Sequence, residues 1–142
     1  MTLSGAGARA TGGRWNAPDH AVLYASANRA LACLETVVHL NAGGLPLNRY
    51  LVEISIPDAA WAAARRETVE SLPVGWDAEP VSLTSIGFGT QWLRAAGSAL
   101  LILPSVIVAE ACTVLLNPAH PDAAGIGCRK VCKWLYDPRP LR

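Results

Sequence analysis

Three places in the sequence carry residue types that can do chemistry. The first is Gly12-Gly13-Arg14-Trp15-Asn16. Paired glycines let a backbone come close to a ligand, an arginine offers a fork of donors that fits a phosphate, and an aromatic side chain can flank what is bound. The run lacks the Gly-Lys-Ser/Thr ending of a Walker loop and does not follow a strand in the GxGxxG manner. A plain glycine turn with a surface arginine is the competing reading. The second place is Glu35, four residues after Leu31 and three before Val38, at the rim of an apolar helical stripe. It is either a solvated carboxylate, as most glutamates are, or one aimed into a cleft, where it can stabilise positive charge or hold a sugar hydroxyl. The third is Ser105, a hydroxyl that follows Pro104 at the end of an apolar run. No GxSxG elbow surrounds it. His20, His39 and His120 are dispersed, and no Ser or Cys stands in a recognisable frame with them, so a hydrolase triad has no support.

The elements that must position these residues mix strands with helices and show no internal repeat. The first 16 residues, rich in Gly and Ala, read as a loop. Residues 21–26 (AVLYAS) read as a buried strand, and residues 27–40 as a helix with Ala27, Leu31, Leu34, Val37 and Val38 on one side. Ser26 or Asn28 caps its start, and Gly43-Gly44 stops it. Residues 50–56 (YLVEISI) alternate as a strand. A short helix is expected over residues 59–67, a turn over 72–76, and a second long helix over 84–96. Residues 99–103 and 106–108 read as strand segments broken by Pro104-Ser105. Asn117 and His120 fall in a loop and receive no role, and residues 131–136 form a last strand. This is α+β organisation around one mixed sheet.

Composition narrows the function classes. The chain has 142 residues, 51% hydrophobic and 16% charged, with a net charge of +1. It is one domain, too apolar and too nearly neutral to be disordered. The charge is also too small for a broadly electrostatic grip on nucleic acid. A membrane span is not expected: the apolar stretch 95–116 is interrupted by Pro104 and Glu110, and its uncharged part falls short of the roughly 20 residues a span needs. No apolar signal region opens the chain, which points to the cytoplasm and to reduced cysteines. Cys128 and Cys132 lie four apart, but with Cys33 and Cys112 they make no four-ligand set, so no metal is expected.

The segments LSGAGARATGGRWNAPDHAVLYAS, ANRALACLETVVHL, YLVEISIP, LPVGW, TQWLRAAGSALLILPSVIV and LLNPAHPD, in that order, closely resemble the RES domain. The family is named for an Arg, a Glu and a Ser. On the matching motifs these are Arg14 in GGRW, Glu35 in the helix and Ser105 in LPS, and Tyr24 in VLY falls on the family's active-site tyrosine. The resemblance implies a fold like that of ADP-ribosyltransferase toxins. It also implies NAD as substrate rather than cofactor, and attack at its nicotinamide–ribose bond by hydrolysis, phosphorolysis or transfer to a protein. Arg14 would then pair with the pyrophosphate, Gly12 and Gly13 would let their loop close on the dinucleotide, Tyr24 would fence the nicotinamide, and Ser105 would bond the nicotinamide or its ribose. The implied partner is a small Xre-like antitoxin, in a hetero-oligomer. Family members usually carry a first strand with an aromatic-Arg pair ahead of the LSG segment. Met1 stands directly before that segment here, so a RES domain over residues 1–142 without that strand is expected, and an inactive antitoxin-binding module is the alternative to an enzyme.

Overall fold

The computed structural model describes residues 4–38 and 50–133. In chain order its elements are α1 (Ala6–Thr11), β1 (Leu23–Ser26), α2 (Arg29–Val38), β2 (Tyr50–Ser55), α3 (Asp58–Ala62), β3 (Arg65–Arg66), α4 (Leu83–Ala95), β4 (Leu100–Pro104), β5 (Cys112–Leu116), a 3-10 turn (Pro121–Gly125) and β6 (Gly127–Lys133).

The sequence LLILP of β4 is buried at every position. A strand without polar alternation needs cover on both faces, and it has both. β4 pairs antiparallel with β5, β5 antiparallel with β1, and β3 adds in parallel to the far side of β4, giving the order β1-β5-β4-β3. One face presents Leu101, Leu103 and Leu115 to Trp15, Trp76, Trp92 and Leu93. Those partners come from the GGRW turn, the 72–76 turn and α4. The other face presents Leu100, Ile102, Val114 and Leu116 to Ile126, Ile54 and Ile56. That cover comes from a separate two-stranded sheet of β2 and β6, through Ile54, and from Ile56 and Ile126, which directly adjoin its strands. The fold is therefore mixed α/β with a mixed sheet, as expected, but a second sheet stands beside it where a single one was expected. Pairing between β2 and β6 joins segments some 75 residues apart, which local pattern cannot reveal.

Five local expectations are corrected. The opening residues are not all loop: Gly5 (φ 68°) and Gly12 (φ 73°) bracket the helix α1, whose ends use positive-φ conformations that favour glycine. The short helix ends at Ala62, and Arg65–Arg66 becomes the edge strand β3. Residues 106–108 are not a strand. The chain reverses there, with Ser105 N–H donating to Ala111 O (2.9 Å) and Ala111 N–H to Val108 O (2.9 Å), and returns as β5, a strand not foreseen as such. The last strand begins at Gly127 rather than Val131, and residues 134–136 lie outside the described residues. The strand expected to be buried over residues 21–26 is β1, which stands at the edge of the sheet with none of its residues buried; the remaining long elements follow expectation. Asn28, not Ser26, caps α2, its Oδ1 accepting the Leu31 N–H at 2.8 Å. The expected stop at Gly43-Gly44 and the second histidine, His39, lie outside the described residues. No helix among the described residues is long and apolar enough to cross a membrane, and no cluster of metal-ligating side chains occurs among them.

Asn117 and His120 both prove architectural. Asn117 is buried, donates to Leu93 O at the end of α4 and accepts the Ala119 N–H. His120 accepts the Asp122 N–H and so starts the 3-10 turn.

Candidate active site

The geometry converges on the first face of the four-stranded sheet. Residues opposite one another on antiparallel strands share a face, as do residues two apart on one strand. Ser26 lies opposite Thr113, Tyr24 opposite Leu115, and Leu103 opposite Thr113. Tyr24 and Thr113 are thus diagonal neighbours on the face that also carries Leu101 and Leu103, roughly 7–8 Å apart between backbones.

Glu35 reaches this face from α2, which packs against β1. Its carboxylate oxygen Oε1 accepts two hydroxyl bonds, from Ser105 Oγ at 2.9 Å and from Thr113 Oγ1 at 3.2 Å. Ser105 is completely buried. Its oxygen accepts the Ile107 and Val108 N–H groups at 3.1 and 3.3 Å, so its single proton is directed to Glu35. The glutamate and serine singled out in the sequence are therefore joined across 70 residues of chain. The role expected for Ser105 needs revision, because a hydroxyl with no exposure and a committed proton holds Glu35 and does not itself meet a ligand.

The GGRWN segment forms a tight turn closed by Gly13 N–H donating to Asn16 O at 3.0 Å. Tyr24 fastens it: its hydroxyl donates to Asn16 Oδ1 and accepts the Trp15 N–H at 3.0 Å. A Cβ on Gly13 would stand 2.7 Å from that hydroxyl, so glycine is what lets turn and tyrosine meet. Gly12 and Gly13 thus serve internal closure, where close approach to a ligand was expected of them. Asn16, fully buried, completes the network by donating through Nδ2 to the carbonyls of Ala8, Ala17 and His20.

Burial pushes the Tyr24 phenol from 10.0 up to about 12, against smaller opposing pulls from the Trp15 N–H and the Arg14 charge. The folded chain therefore keeps a proton that the unfolded chain begins to lose near pH 10. Stability from this group is complete below pH 10 and declines as pH rises toward 12. Tyr24→Phe also strips the Asn16 carbonyl and the Trp15 N–H of their partner, with an expected loss of about 1–3 kcal/mol near neutrality. Thermal denaturation of both forms checks this, and the gap between them should narrow above pH 10.

Arg14 is only 9% exposed in its side chain. Nη1 donates to the carbonyls of Trp76 (3.3 Å) and Ala78 (2.9 Å), and Nη2 to Glu79 Oε2 at 2.7 Å. The guanidinium thus ties the GGRW turn to the 76–79 loop, and its one charged partner is a largely exposed carboxylate. A hollow of about 300 Å³ is lined by residues 4–8 and by Val22, Leu23 and Tyr24, and neither Arg14 nor Glu35 is among its lining residues.

Pattern reading missed three participants: Thr113 and Glu79 received no role, and Asn16 was marked only as part of GGRWN.

Comparison with known proteins gives the family. The model of the RES domain matches residues 1–138. Over 140 residues the chain is 64% identical to the Prs ADP-ribosylating toxin of Sphingobium sp. (strain YBL2), covering 99% of this chain and 87% of that protein. It is 34% identical over 139 residues to Toxin Res of Yersinia enterocolitica serotype O:8 / biotype 1B, covering 97% and 90% of the two chains. To Toxin Res of Photorhabdus laumondii subsp. laumondii it is 32% identical over 119 residues, 84% and 74% of the two. With a match running through nearly the whole sequence, this chain belongs to the RES domain family, whose named members here are toxins.

Proposed function

We propose that the chain is a toxin that breaks the nicotinamide–ribose bond of NAD. The observation that carries this reading is the Glu35 carboxylate, held at one oxygen by two buried strand hydroxyls on the face that bears Tyr24. Departure of nicotinamide leaves positive charge on the ribose, as in other glycosidic cleavages through an oxocarbenium-like transition state. A carboxylate fixed before the reaction stabilises that charge without reorganising. Tyr24 flanks the nicotinamide with its ring, its hydroxyl being occupied by the turn. Arg14 meets the pyrophosphate through donors not already given to Trp76 and Ala78 carbonyls. An ADP-ribosyltransferase-like fold accords with this chemistry, and an Xre-like antitoxin is the cytoplasmic partner, in a hetero-oligomer. NAD is consumed as substrate, and no metal enters the scheme.

The acceptor of the ADP-ribosyl group is water, phosphate or a protein. The 64% identity to a relative named as ADP-ribosylating Prs favours a protein acceptor of that name. Incubating the purified chain with adenylate-labelled NAD, with and without Prs, tests both levels. Label on Prs is the transferase outcome, and soluble ADP-ribose or its phosphate the degradative one. Intact NAD in every condition would overturn the proposal.

Binding at Arg14 requires the pyrophosphate to displace Glu79. Glu79→Gln keeps an acceptor but removes the competing charge, so KM for NAD should fall about two- to fivefold, in line with what exposed ion pairs contribute, with kcat unchanged. Steady-state nicotinamide release measures this.

A further inference from the structure

We infer that Thr113 is a positioning residue that works with Ser105 to decide which oxygen of Glu35 faces the substrate. The inference rests on the reading of Glu35 as the carboxylate that meets the ribose, and it adds a residue and a geometric rule to it. An ionised carboxylate only accepts hydrogen bonds, and a threonine hydroxyl has one proton to give. Thr113 gives its proton to Oε1 at 3.2 Å, the oxygen that Ser105 already bonds at 2.9 Å. Two donors therefore converge on one oxygen, while no described residue donates to the other. Both donors belong to the inner part of the sheet: Thr113 is in β5 opposite Leu103, and Ser105 follows directly after β4, two residues beyond Leu103. They are 6% and 0% exposed, so neither can reach a substrate, and both are held by the most buried part of the sheet. The branched Cβ of threonine further limits its rotation. The outcome is a two-point clamp that fixes the rotation of the carboxylate and leaves Oε2, which has no donor among the described residues, as the oxygen to face a developing cation.

A merely structural Thr113 and a positioning Thr113 respond differently to two substitutions. Thr113→Val keeps shape and removes the hydroxyl, whereas Thr113→Ser keeps the hydroxyl and removes the methyl. On the positioning account Thr113→Val lowers kcat for nicotinamide release about tenfold, the loss expected for one hydrogen bond to a charged group, with KM within twofold. Thr113→Ser then recovers activity to within about threefold of wild type on the same argument. Equal losses in both variants, or none in Thr113→Val, would overturn it. Crystal structures of the two variants give a readout independent of any NAD activity. The Glu35 carboxylate should keep its orientation in Thr113→Ser and turn or split in Thr113→Val. An unmoved carboxylate in Thr113→Val would refute the clamp even if the chain proved to act on some other substrate. A wild-type chain that releases no nicotinamide, with the carboxylate turning as expected, would instead refute the NAD reading alone.

Discussion

Glu35→Gln is expected to slow nicotinamide release by about 100- to 1000-fold, the range found when one preorganised electrostatic group is removed from a transition state. The substitution is nearly isosteric, and its carbonyl still accepts from Ser105 and Thr113. What disappears is the negative charge that the departing nicotinamide makes valuable. On the proposed reading substrate binding falls to Arg14 and Tyr24 and should change little, so the loss should lie in kcat and not in KM. The fold should persist, because Glu35 is half-buried and stands at the edge of the core. Thermal denaturation within a few degrees of wild type, beside kinetics of release, separates a chemical role from a structural one. A variant that unfolds would assign Glu35 to architecture instead.

The largest effect on stability is expected at Gly89 in α4. A Cβ there would fall 1.8 Å from the Trp15 carbonyl oxygen and 2.7 Å from its carbon, both backbone atoms with no rotamer to change. Helix and turn meet at this point because nothing projects from residue 89. The Ala17 N–H bond to Thr90 Oγ1 at 3.0 Å fastens the same contact, and Trp15 packs there against Trp76 and Phe88. Gly89→Ala must push the turn away, breaking this packing and shifting the backbone that holds Arg14 and Tyr24. A loss of about 3 kcal/mol is expected, at the upper end for overpacking, with Tm lower by roughly 10 °C for a chain of this size. Gly87→Ala, two residues earlier on the same helix, is the control. A Cβ there meets nothing within 4 Å, so helix propensity alone predicts a gain of about 1 kcal/mol. Should both variants behave alike in a thermal melt, the helix–turn contact would be wrong.

Sequence reached far into this site for some residues and not for others. Arg14, Tyr24, Glu35 and Ser105 stand in recognisable segments, and helix α4 and strand β4 announce themselves by pattern. How Glu35 and Ser105 relate was not legible, because a bond across 70 residues depends on the fold. Thr113 was hidden for a physical reason: its hydroxyl is buried in a strand whose neighbours are all apolar, and burial of a hydroxyl is acceptable only through its bond to Glu35. The misreading of residues 106–108 followed from their Val-Ile-Val composition, which suits a strand. In the structure these residues form a reversal, in which Ser105 Oγ accepts the Ile107 and Val108 N–H groups. Arg14 shows the opposite limit. Its type signals anion binding, but only the structure reveals that Glu79 and two carbonyls hold it already.

The measurement that bears most directly on the account is the amount of nicotinamide that the purified full chain releases from NAD, taken beside Glu35→Gln, with water, phosphate and Prs each offered as acceptor. Wild type should release nicotinamide with at least one acceptor, in equal amount to the ADP-ribosyl product, and the variant should release almost none while remaining folded. Folded wild-type protein that leaves NAD intact with all three acceptors would contradict the account, as would a variant that releases nicotinamide as fast as wild type.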